Sequence, residues 1–177
     1  MRIEDAVSED APALAELAAR TFPLACPPHI SADAIASFIA AHLTAAAFAG
    51  YLDDPAYDVL AAWEDDGRLG GYALSVRRDP PADIARLLPP GPVTELSKLY
   101  VRPEAHGGGA ARLLLDAVVE RARSAGTATV WLGTNRENHR ARRFYEREGF
   151  ALAGPRRFLV GDRWEDDVVY TRIIPEP

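Results

Sequence analysis

The chain has 177 residues, 48% of them hydrophobic and 26% charged, a balance that fits one globular domain over residues 1–177 with a sizeable core. Its single cysteine, Cys26, excludes an internal disulfide framework; no apolar run approaches a membrane span, and Met1-Arg2-Ile3-Glu4-Asp5 lacks the apolar core of a signal peptide, so a cytoplasmic location is expected. The net charge of −6 conceals an asymmetry, because residues 1–66 carry −10 and residues 67–177 carry +4.

Met1–Glu4 reads as a short first strand. Ser8-Glu9-Asp10 supplies a hydroxyl cap and first-turn acids for a helix with Leu14, Leu17 and Ala18 at helical spacing. Three prolines, Pro23, Pro27 and Pro28, are expected to break that helix in the segment from Thr21 onward. Ser31 starts a second helical stretch to about His42, and Thr44 a third that ends near Asp54-Pro55. Tyr57–Glu64 and Leu69–Arg77 alternate as strands around Asp65-Asp66-Gly67-Arg68, a hairpin signal. The proline-rich stretch from Asp79 to Pro92 reads as a surface loop with a short turn at Ile84–Leu88.

Glu95–Val101 is the next strand. Strict alternation puts Glu95, Ser97, Leu99 and Val101 on one face and Leu96, Lys98 and Tyr100 on the other. Arg112–Ala125 is an amphipathic helix with Leu113, Leu114, Ala117, Val118 and Ala122 on its apolar face, ended by Gly126. Ala128–Leu132 is a buried strand, Arg140–Glu148 the last helix, and Phe150–Val160 with Trp164–Ile173 a terminal hairpin. His29, His42, His106 and His139 are scattered without metal-ligand spacing, so no metal is expected.

Between the strand at 95–101 and the following helix lies His106-Gly107-Gly108-Gly109-Ala110-Ala111. A glycine turn feeding directly into a helix is suited to anions. The first helical amides have no intrahelical acceptor, the helix dipole adds partial positive charge, and residues without Cβ let a phosphate approach. The stretch reads as a pyrophosphate cradle. It is neither a Walker loop, which needs Gly-Lys-Ser/Thr, nor a dinucleotide turn, because Arg112 stands where the third glycine belongs. A second motif follows, Asn138-His139-Arg140-Ala141-Arg142-Arg143-Phe144-Tyr145-Glu146-Arg147-Glu148-Gly149-Phe150.

Together with Leu99-Tyr100-Val101, the two motifs resemble the GNAT superfamily of acetyl-CoA-dependent N-acetyltransferases over Glu95–Phe150. The family pattern for the turn begins with Gln or Arg, where this chain has His106. That departure leaves a backbone cradle intact. The resemblance implies an α/β (α+β) fold: a mixed central sheet of six to seven strands flanked by helices, with a V-shaped split between the two central parallel strands. It implies acetyl-CoA as cosubstrate. The backbone of Leu99, Tyr100 and Val101 would contact the acetyl and pantetheine part. His106, Gly107, Gly108, Gly109, Ala110, Ala111 and Arg112 would bind the pyrophosphate arm, and Asn138 would hydrogen-bond the cofactor while also serving as a helix cap. Arg140, Arg142 and Arg143 are candidates for the ribose phosphate.

Acetyl transfer needs a neutral amine, and an alkyl amine is mostly protonated at pH 7. A base must take a proton directly or through water. Glu95 is the candidate, with an ion pair to an arginine as its alternative role. Tyr145 stands at the family position for the general acid that protonates the leaving thiolate. Its alternative role is that of a core aromatic beside Phe144.

A narrower resemblance, carried by Glu95–Val101, Val130–Thr134 and Phe158–Asp162, is to bacterial spermidine/spermine N-acetyltransferases. The expected partner is therefore a small-molecule amine, with a polyamine among the candidates, and no nucleic acid or membrane. The acids of residues 1–66, among them Asp53, Asp54, Asp58, Glu64, Asp65 and Asp66, would steer a polycation to the cleft. Acetylation of an antibiotic amine, an amino compound or a protein N-terminus stays open, as do a non-catalytic acyl-CoA sensor and a homodimer.

Overall fold

The computed structural model describes residues 1–105, 107–160 and 162–175. In chain order the elements are β1 (Arg2–Asp5), α1 (Ala11–Ala25), α2 (Ala32–His42), α3 (Ala45–Asp53), β2 (Tyr57–Trp63), β3 (Leu69–Val76), α4 (Ala82–Ala85), β4 (Val93–Val101), α5 (Ala110–Ser124), β5 (Thr129–Asn135), α6 (His139–Arg147), β6 (Ala151–Val160) and β7 (Arg163–Ile173). The strands form one sheet in the order β1-β2-β3-β4-β5-β7-β6. Every neighbouring pair is antiparallel except β4 and β5, which run parallel.

Period-2 alternation in β2 and β3 separates two apolar faces. Leu60, Ala62 and Ala73 pack with Leu114, Leu115, Val118, Val119 and Ala122 of α5. Val59, Ala61, Tyr72 and Leu74 pack on the other side with Leu14, Leu17, Ala18 and Phe22 of α1 and Phe48 of α3. β3, covered on both faces, is buried along its whole length. The α5 stripe includes Leu115 and Val119, whereas Leu113, expected on it, is 44% exposed.

Several elements differ from the sequence reading for local reasons. Ser8 lies inside a short 3₁₀ turn, and α1 begins at Ala11; Asp10 Oδ2 accepts from Val7 N at 2.9 Å. α1 also continues through Pro23 to Ala25. A proline in the last turn removes one backbone donor, and this turn is held by Phe22, which is 7% exposed and stacks on Phe38 at 4.4 Å. Ser31 and Thr44 cap α2 and α3 as expected, accepting from Ala34 N and Ala47 N, both at 3.1 Å. The proline-rich excursion is anchored: Ile84 of α4 is buried against Trp131 and Val169.

The arrangement that positions the site is in the middle of the sheet. β4 and β5 pair only at Val93↔Thr129, Thr94↔Val130 and Glu95↔Trp131. Beyond Glu95 they part: β4 stays with β3, while β5 pairs β7 along its full length. This is the V-shaped split. β4 also carries a bulge, because Leu74 pairs Lys98 while the next residue, Ser75, pairs Leu96, so Ser97 is the extra residue. The bulge corrects the strict alternation. Leu96, Leu99 and Val101 share the α5 face, and Glu95, Lys98 and Tyr100 all line the opposite cavity.

Candidate active site

The turn after β4 is built by backbone sign. Gly107 and Gly109 have φ of 83° and 81°, and Gly109 is the N-cap of α5. A Cβ at either glycine would meet nothing within 4 Å, so the constraint is the left-handed conformation rather than crowding. The first intrahelical bond of α5 is Leu113 N to Gly109 O, at 3.0 Å. The amides of Ala110, Ala111 and Arg112 therefore head the helix without an intrahelical acceptor. Gly107, Gly109, Ala110, Ala111 and Arg112 line one cleft; Gly108, between them, donates to Ala105 O at 3.3 Å. His106 lies outside the described residues.

Opposite this turn, α6 contributes Arg140, Arg143 and Arg147 to the cleft. Arg142 turns to the sheet instead and donates to Tyr170 Oη at 3.2 Å and to Arg136 O at 3.1 Å. Amides at a helix N-terminus facing arginines fit a pyrophosphate and a ribose phosphate chemically. Leu99, Tyr100 and Val101 of β4 line the same cleft where the strands part. Asn138 caps α6, its Oδ1 accepting from Ala141 N at 3.0 Å, and it also reaches the cleft.

Tyr145 sits on the inner face of α6, 9% exposed, with its ring 5.2 Å from Phe144 and 5.7 Å from Phe150. It packs in the core and still lines the cleft. Burial drives its phenol well above the ordinary range, so it is fully protonated near neutral pH. Tyr100 is shifted up in the same way, mainly by burial, with Tyr145 among the neighbours that add to it.

The cleft continues into a second cavity on the other side of β4. Ala25, Tyr100 and Asn138 line both. Glu95 and Lys98 enter this second cavity from β4, Arg156 and Phe158 from β6, and Glu165 and Asp167 from β7. Burial pushes the Glu95 carboxyl above its ordinary range, with Arg156 and Lys98 opposing the shift. Burial pulls Lys98 down to about 8, against the pull of Glu95. Asp167 is raised by burial despite its bond from Arg156 Nη2 at 3.3 Å. Arg156 lies against Gly133, where a Cβ would occupy the space of its guanidinium. Glu165 Oε2 shares a 2.7 Å hydrogen bond with His29 Nε2.

Lys98, Arg156, Glu165, Asp167 and His29 were not legible as site residues. They come from four separate stretches of the chain, and the terminal hairpin bears no short motif. The acidic cluster of residues 53–66, in contrast, is turned elsewhere and contributes no residue to either cavity. Asp54 pairs with Arg78, Asp58 with Arg77 and Arg121, and Glu64 and Asp66 with Arg68. Asp65 pairs with the Met1 ammonium at 2.8 Å. This removes the structural motive for steering by those acids.

Residues 12–150 match the model of the acetyltransferase (GNAT) family. An uncharacterized N-acetyltransferase of Mycobacterium tuberculosis (strain ATCC 25618 / H37Rv) is 47% identical over 163 residues, covering 92% of this chain and 97% of that protein. Two solved structures share the fold. The PaiA N-acetyltransferase from Thermoplasma acidophilum, in complex with coenzyme A, superposes with a TM-score of 0.77 at 19% identity over 98% of each chain. The ribosomal-protein-S18-alanine N-acetyltransferase from Escherichia coli gives 0.69 at 20% identity over 99% of this chain and 95% of that one. The split sheet and the two matched motifs are those of an acyltransferase. The chain belongs to the GNAT acetyltransferase family.

Proposed function

We propose that this protein transfers the acetyl group of acetyl-CoA directly to a primary amine, with the cosubstrate in the cleft between β4 and β5 and the amine in the adjoining cavity. The observation that carries this reading is the junction itself: the phosphate-suited cleft and the charged cavity meet at Tyr100 and Asn138. Acetyl-CoA, when bound, supplies an activated thioester. The amides of Gly109–Arg112 with Arg140 and Arg143 hold its phosphates, and the parted edge of β4 takes the pantetheine arm.

Glu95 accepts a proton from the incoming ammonium, directly or through water, and its raised pKa makes it a stronger base than an exposed carboxylate. The amine nitrogen then bonds the acetyl carbon as the carbon–sulfur bond breaks. Tyr145 gives its proton to the departing sulfur, the acetylated nitrogen releases its second proton to restore the phenol, directly or through water, and Glu95 returns its own to solvent. Measurement of CoA release with and without amines tests the reading. Amine-dependent release supports it, whereas tight acetyl-CoA binding with no turnover on any amine favours a sensor. Polyamines belong in the acceptor panel because three carboxylates, Glu95, Glu165 and Asp167, reach the cavity.

A further inference from the structure

The cavity beside Glu95 has two characters. Its polar side holds Glu95, Lys98, Arg156, Glu165 and Asp167. Its other side is apolar and built largely of rings. Phe22 and Phe38 stack at 4.4 Å, Phe38 and Phe158 lie 6.0 Å apart, and Ile30 and Val160 close the wall behind them. Phe38 and Phe158 are only half-buried, so ring surface remains open to an occupant.

The carboxylates differ in what they have left to offer. Asp167 is engaged by Arg156 Nη2 at 3.3 Å and Glu165 by His29 Nε2 at 2.7 Å. Lys98 Nζ is placed over the Tyr51 ring at 5.0 Å and near Ser97 Oγ at 3.4 Å. Glu95 makes no side-chain hydrogen bond or ion pair among the described residues; Arg156 and Lys98 reach it only as nearby charges. One carboxylate is therefore uncommitted, which suits one ammonium. A polyamine brings at least two, and its distal charge would have to displace an existing pair or compete for a ring face with the Arg156 guanidinium, which already lies 5.0 Å over the Phe158 ring.

We propose that the acceptor is a monoamine: its single ammonium is received by Glu95, and its apolar, ring-sized body lies among Phe22, Phe38 and Phe158. This rests on the acetyl-transfer reading above and narrows it to a substrate class. Rings stack or meet edge to face with such a body, and the body's transfer from water drives binding. The transfer is the one already written: Glu95 takes the ammonium proton, the amine nitrogen gains the acetyl carbon and gives up its second proton to restore Tyr145, and the sulfur leaves protonated.

The test compares 2-phenylethylamine, ethylamine and spermidine as acceptors by CoA release, with calorimetry of CoA binding alongside. 2-Phenylethylamine is expected to exceed ethylamine in kcat/KM by at least about tenfold, the lower bound for one methylene in an apolar pocket, and to exceed spermidine as well. Phe158→Ala should raise KM for 2-phenylethylamine about tenfold with CoA affinity kept, in line with the worth of an aromatic contact. Phe38→Ala provides a second reading should Phe158→Ala fail to fold. Spermidine as the better acceptor, no turnover of 2-phenylethylamine by protein that binds CoA, or an unchanged KM in both folded variants overturns the proposal while leaving acetyl transfer standing. Absence of CoA binding by the wild-type protein overturns the acetyl-transfer reading itself.

Discussion

Glu95 and Tyr145 are opposite solutions to the same physical setting. Tyr145 is buried and Glu95 half-buried, and desolvation disfavours the charged form of each. For Tyr145 this preserves a donor, so Tyr145→Phe is expected to lower kcat by about 10²–10⁴-fold with a smaller effect on cofactor KM. Wild-type turnover of that variant across the pH range would exclude the phenol as the acid. For Glu95 burial raises basicity, and the sign of the stability effect follows. A carboxyl whose pKa is raised on folding stabilises most below its unfolded pKa of 4.5, and that contribution is lost as pH rises through the folded value. Glu95→Gln is therefore expected to melt higher than wild type at pH 7.5, to lose that advantage near pH 4, and to turn over more slowly. A Tm at pH 7.5 below that of wild type would show that Arg156 and Lys98 stabilise the carboxylate more than burial destabilises it.

At the scale of elements, two backbone features carry the site. Gly109 caps α5 at φ 81°, a conformation that costs a residue with a side chain about 1–2 kcal/mol. Gly109→Val is expected to lose that stability and to weaken CoA binding, because the strained cap re-aims the first amides of α5. A folded Gly109→Val protein with unchanged CoA affinity by calorimetry would place the phosphates elsewhere. The bulge at Ser97 sets which side chains of β4 face the cavity. Deleting Ser97 removes the bulge and puts Lys98 directly after Leu96, so strict alternation then keeps Leu96, Leu99 and Val101 toward α5 and Glu95, Lys98 and Tyr100 toward the cavity. A retained cooperative thermal transition is the expected result, and its loss would show that the bend of the bulge, rather than the facing of the side chains, is what β4 needs.

At the scale of the whole molecule, charge is segregated by pairing rather than by sequence region. Asp54, Asp58, Glu64, Asp65 and Asp66 are tied to Arg68, Arg77, Arg78, Arg121 and the N-terminus, while Arg140, Arg143 and Arg147 line the cleft proposed for the cosubstrate. Salt should then weaken CoA binding more than it changes KM for a cationic amine, as the screening length falls from about 10 Å at 0.1 M to about 3 Å at 1 M. Titrations of each ligand at the two ionic strengths check this, and a KM for amine that rises more steeply than the Kd for CoA would restore a steering role to the surface acids.

The chain itself determined what depends on neighbours a few residues apart. Periodicity marks α5 and the β2–β3 hairpin, Ser31 and Thr44 mark two helix starts, and the glycine turn and the Asn138–Phe150 motif mark both sides of the cleft proposed for the cosubstrate. Such signals are local because capping, turn sign and helical period are local forces. Tertiary structure decided the rest. Only pairing with β3 reveals that Ser97 is an extra residue, only the packed chain shows α1 continuing through Pro23 beside a buried Phe22, and only the return of β6 and β7 beside β5 brings Arg156, Phe158, Glu165 and Asp167 to Glu95. The cavity proposed for the acceptor is assembled from segments far apart in the chain, and the desolvation that shifts Glu95 and Lys98 exists only once those segments have closed on one another.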